Sequence, residues 1–104
     1  MCNLEEKLVK IANHNGYDVA KLLLIEEMSE LTKAIVKADR NIFFRENDVI
    51  NLKEKDIHEI ASEIADVSIM LDEVAHLLGV THQVKTVREM KIERTMKREH
   101  IYES

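Results

Sequence analysis

The sequence predicts an all-α fold: a single four-helix, bundle-like domain over residues 1–104, with two long central helices, assembling as a helical oligomer. Three observations carry that expectation. Proline is absent and glycine occurs only at positions 16 and 79, so little interrupts helix propagation. Apolar residues recur at the 3.6-residue period through Val19–Ala38 and again through Asp56–Leu78. Hydrophobic residues make up 45% and charged residues 34%, a balance that suits a soluble globular domain rather than a disordered chain.

Leu4 to about His14 reads as a first helix with Leu4, Leu8, Val9, Ile11 and Ala12 turned inward. Asn15-Gly16 stops it, because glycine accepts the left-handed conformation of a helix end. Asp18 then caps a second helix, Val19–Ala38. Its main apolar stripe is Ala20, Leu23, Leu24, Leu31, Ala34 and Ala38, while Leu22, Ile25, Ile35 and Val36 fall outside it.

Asp39–Asn51 breaks the periodicity and reads as a loop or short irregular helix. Within it, Phe43-Phe44 between Arg40 and Arg45 reads either as a nucleobase-stacking surface with cations for phosphate, or as an apolar plug or dimer contact. Nothing local distinguishes the two, and the plug or contact is the preferred reading. Asn51-x-x-Glu54 and Asp56-x-x-Glu59 both resemble capping boxes that could open the third helix. That helix runs to Leu78, where Gly79 stops it, and its stripe is Ile60, Ile64, Val67, Leu71, Val74 and Leu78. Thr81 caps a fourth helix reaching about His100.

Five acids set the chemistry: Glu26, Glu27 and Glu30 on the second helix, Glu63 and Asp66 on the third. At about 100° per residue, Glu27 falls in the middle of its apolar stripe and Glu30 at its edge. Glu63 and Asp66 border theirs. A solvated acidic face would lie opposite the stripe instead. Acids are common on helices and either group alone means little. Together, on the facing sides of two helices, Glu27, Glu30, Glu63 and Asp66 form a like-charged, partly buried set that needs protons, basic partners or a cation. Carboxylates without Cys or His suit a hard cation such as Mg²⁺, with Mn²⁺ as the alternative.

Glu26-Glu27-x-x-Glu30 followed by Glu63-x-x-Asp66 resembles the signature of the MazG-like all-α nucleoside triphosphate pyrophosphohydrolases. The resemblance covers roughly Val19 to Arg98, including the Glu63-Ile-Ala-Asp-Val run and the basic tail helix. Thirty-two residues separate Glu30 from Glu63, longer than is usual in that family; the departure concerns the intervening loop rather than the acids. The resemblance implies Mg²⁺-dependent cleavage of a nucleoside triphosphate between its α and β phosphates, yielding a monophosphate and pyrophosphate. It implies Glu27, Glu30, Glu63 and Asp66 as metal ligands, and Glu26 as ligand to a second ion or orienter of water. It also implies a homodimer or homotetramer in which a neighbour helps close the nucleotide pocket.

Charge and composition narrow the alternatives. Segment 85–100 holds six basic residues against Glu89, Glu93 and Glu99, so it carries +3 while the rest carries −8 of the overall −5. An acidic chain with one local basic strip does not suggest a nucleic-acid partner, whereas Arg40, Phe43, Lys91 and Arg94 are candidates for a triphosphate. Most of the strip has the alternating pattern of an ordinary solvated helix. Cys2, the single cysteine, fits a reducing cytoplasm, and no apolar run approaches membrane-spanning length. No glycine-rich phosphate loop exists, and Glu73-x-x-His76 is half of a di-iron motif whose second half is missing. The competing class is a non-enzymatic helical module for dimerisation or regulation, which would keep the apolar stripes without needing the acids.

Overall fold

The computed structural model of the chain describes residues 2–42, 44–46 and 49–102. Its helices are α1 (Leu4–Asn15), α2 (Tyr17–Arg40), α3 (Glu54–Leu77) and α4 (Thr81–Arg98). Between α2 and α3 lies a two-stranded antiparallel ribbon, β1 (Phe44–Glu46) and β2 (Val49–Asn51), in which Phe44 faces Asn51 and Glu46 faces Val49. This ribbon replaces the loop or irregular helix expected over Asp39–Asn51. The segment is rich in β-branched and aromatic residues, with Asn47-Asp48 between the strands in sequence. A pairing of three residues is too short for alternation to reveal.

The helix starts also differ from the capping signals. Gly16 alone joins α1 to α2: its N–H donates to Ala12 O at 2.9 Å, and its carbonyl accepts from Ala20 N at 3.0 Å. Asp18 therefore lies inside the first turn of α2, paired with Lys21 at 3.8 Å, and does not cap it. Lys53 precedes α3 without a side-chain cap. Neither capping box is used, because Asn51 belongs to β2 and Asp56 lies in the first turn of α3, buried. Thr81 is the first residue of α4 rather than its cap. One cap that the sequence reading did not assign closes α1, where Glu6 N donates to Asn3 Oδ1 at 2.8 Å.

Packing is concentrated between α2 and α3, with α1 laid against both. Among the described residues, the buried apolar ones are Ala12, Ala20, Ala34, Ala38, Val67 and Met70. Four of these are alanines, which let helix backbones approach closely but contribute little buried area each. The expected α3 stripe divides. Val67 is buried, whereas Ile64, Leu71 and Leu78 remain about half exposed. The buried arc of α3 runs through Val67, Met70 and Glu73, and the other three lie roughly 80–120° round the helix from its middle. Leu22, Ile25, Ile35 and Val36 are exposed, as their place outside the α2 stripe predicted.

Helix α4 touches only α3 among the helices and has no buried residue, so it does not form the fourth wall of a bundle. The radius of gyration is 17.1 Å, against about 13 Å for a compact chain of this length. The accessible surface is 8603 Å², against about 6,000 Å² for a compact monomer of 12.1 kDa. No helix among the described residues is long and apolar enough to cross a membrane.

Candidate metal centre

Helices α2 and α3 run antiparallel. Lys37 near the end of α2 pairs with Glu59 near the start of α3 at 3.3 Å, while Glu27, earlier on α2, meets Glu63 and Asp66, later on α3. The 3.6-residue repeat sets Glu27 one turn from Leu31 and two from Ala34, on the face that α3 covers. Glu63 and Asp66 lie on the matching side of α3, four residues and one residue before Val67.

One carboxylate oxygen from each of Glu27, Glu63 and Asp66 lies within 4.8 Å of the others, and all three side chains are half-buried. No ion pair neutralises any of them among the described residues. Partial burial pushes the Glu27 carboxyl above its ordinary value; the charges of Asp66, Glu63, Glu26 and Glu30, in that order, push it further. Glu63 Oε2 is occluded from solvent without a hydrogen-bond partner. A closed-off acceptor normally finds a donor, since leaving it unmet costs about 1–3 kcal/mol. These three oxygens fit a hard divalent cation. Ligand oxygens about 2.1 Å from Mg²⁺ stand roughly 3–4 Å apart, comparable to the spacing of these three.

Glu30 departs from the expected four-ligand set. It is exposed and paired with Lys33 at 3.6 Å, outside the converging three. Glu26 is exposed as well, and both act on Glu27 through charge alone. Glu59 is engaged by Lys37 at 3.3 Å rather than capping α3.

Among the described residues, no hydrogen bond or ion pair ties the expected substrate contacts Arg40, Lys91 and Arg94 to the acids. Arg40 ends α2 and is exposed, and Phe43 lies outside the described residues. Lys91 flanks an open apolar face of α4 with Val84, Val87 and Ile92, and Arg94 lies beside Met90 and Glu93.

Two polar features have structural roles that the sequence did not assign. Buried Glu73 accepts a hydrogen bond from Asn15 Nδ2 at 3.1 Å, and His76 Nε2 meets Asn13 Oδ1 at 3.1 Å, so the Glu73/His76 pair ties α3 to the end of α1. The signal was present, because Glu73 follows Met70 by three residues and Asp66 by seven on the buried arc. Asp56 is also buried, and its Oδ2 has no partner. Comparison with family models, with curated proteins and with solved structures finds no match to this chain.

Proposed function

We propose that the chain is a Mg²⁺-dependent nucleoside triphosphate pyrophosphohydrolase, releasing a nucleoside monophosphate and pyrophosphate in nucleotide-pool house-cleaning in the cytoplasm. What supports the reading is the convergence of Glu27, Glu63 and Asp66 across α2 and α3 without a compensating cation. The MazG-like motif resemblance supplies the reaction. Glu27, Glu63 and Asp66 would hold the ion, with Mn²⁺ as the alternative to Mg²⁺. When bound, it would neutralise triphosphate charge and lower the pKa of a water. Glu30 lies one helical turn from Glu27 and would join only by leaving Lys33. Glu26, solvent-facing beside the cluster, would take a proton from water or bind a second ion. The charged cluster also repels free polyanions, so the substrate would arrive as its metal complex.

A second reading is favoured by the large exposed apolar surface: a non-enzymatic helical module that works by self-association. Such a module has no use for three uncompensated acids at its helix interface. The measurement that separates the two is a thermal melt with and without millimolar Mg²⁺, followed by pyrophosphate release across a panel of nucleoside triphosphates. A metal at one hundred times its Kd stabilises by about 2.7 kcal/mol. An unmoved melting curve together with a silent panel would favour the module.

A further inference from the structure

A groove runs between α1 and α3, at the end of α3 away from the start of the helix. Leu4, Leu8 and Val9 of α1 give it apolar walls, and its polar groups are Glu5, Asp72, His76 and Thr81. Its volume, about 530 Å³, falls within the roughly 300–1,000 Å³ of small-ligand sites. The fixed charges that line it are of one sign. No Lys or Arg is among them, and α1 turns Lys7 and Lys10 roughly 130–170° away from its lining side. Among the described residues no side-chain hydrogen bond or ion pair engages Glu5 or Asp72. Asp72 and His76 stand one turn apart at the C-terminal end of α3, where the helix dipole adds partial negative charge. His76 Nε2 meets Asn13 Oδ1 at 3.1 Å. A carbonyl oxygen only accepts, so the neutral ring keeps Nδ1 as one more acceptor.

We infer that this groove binds a small organic cation, a primary amine carried on a short apolar chain. The apolar walls of α1 take the chain, and the acceptors of α3 and Glu5 take the ammonium, which donates and never accepts. Each rival occupant fails on one count. A bare metal ion needs its ligands close together, and Glu5, Asp72 and His76 do not converge within 4.8 Å as Glu27, Glu63 and Asp66 do. A partner helix needs length, and the α1 wall from Leu4 to Val9 is only about 8 Å long. A nucleotide is a polyanion, which the one-signed lining repels. The groove is thus a second site, with Asp72 six residues beyond Asp66, or about 9 Å further along α3. It does not depend on the catalytic reading, because neither metal nor nucleotide enters it.

The test uses the full chain, isotopically labelled, free of metal and nucleotide and at low salt, with hexylammonium as the probe. Hexanol and hexanoate have the same chain with a neutral and an anionic head. Titration followed by two-dimensional amide spectra should give saturable shifts for hexylammonium in the roughly millimolar range or below. Those shifts should centre on Glu5, Leu8, Asp72 and His76. Hexanol should bind at least tenfold more weakly and hexanoate should leave the groove unmoved. Asp72 is exposed, so Asp72→Asn leaves the fold intact, and it should weaken the amine several-fold without changing hexanol. Equal affinity for amine and alcohol would make the groove merely apolar and overturns the proposal. So does an amine affinity that Asp72→Asn does not change. Shifts confined to Glu27, Glu63 and Asp66, or no saturable shift at all, overturn it too.

Discussion

At the scale of single residues, Glu27 decides the most. Its carboxyl is raised by partial burial and by the charges of Asp66, Glu63, Glu26 and Glu30. A carboxyl whose folded-state pKa is raised favours the proton in the native state, so its ionisation opposes folding. The opposition is absent below the unfolded value, near 4.5, and grows as pH rises through the raised one. Glu27→Gln should therefore match the metal-free parent in acid and melt above it near neutral pH, with the gap opening between. A variant that melts below its parent at neutral pH would show the cluster to be held by attraction. The same substitution should abolish turnover and remove most of the Mg²⁺-dependent gain in melting temperature, because it deletes a ligand. Three of the acids could be placed by counting residues round a helix, since Glu27, Glu63 and Asp66 fall on facing stripes. Glu30 is not placed by the same count: its spacing from Glu27 is right, yet it pairs with Lys33, three residues further on. Spacing alone does not say which charge a carboxylate will choose.

At the scale of elements, two glycines do different things. Gly16 has φ 79° and ψ 164°, a region that essentially only glycine enters, and it is the entire connection between α1 and α2. Gly79, at φ 70°, is a left-handed residue following α3. Neither site would crowd a methyl group, so the cost of alanine is conformational at both. Gly16→Ala should lose roughly 3 kcal/mol and Gly79→Ala about 1 kcal/mol, read from denaturant midpoints at constant slope. Helices were legible because α2 and α3 keep one period for 24 residues each. Their first residues were not, because capping motifs compete with tertiary demands: the ribbon claims Asn51 and the core claims Asp56. The tie from Glu73 to Asn15 should also be measurable, with Asn15→Ala leaving a buried carboxylate short of a donor at a cost of about 1–3 kcal/mol in thermal or chemical unfolding.

For the whole molecule, the expected four-helix bundle becomes three packed helices and an outlying fourth. Periodicity tells which side chains seek cover and leaves open whether the cover comes from the same chain. That is why the α3 stripe read as one face in the sequence and proves to be two in the structure. If a second copy covers the exposed side of α3, the melting temperature should rise with protein concentration from micromolar upward, because association draws on the folded state. A melt independent of concentration over two decades would argue for a monomer or for a partner of another kind.

Helix α4, with no buried residue, has a consequence for the lifetime of the chain. A helix held by few tertiary contacts frays at little cost, and proteases cut where the backbone opens. A nick there would leave α2, α3 and all three converging acids in one piece while removing the basic strip. Turnover of this protein should then begin at α4 and yield a more acidic fragment carrying the three acids before the rest is lost.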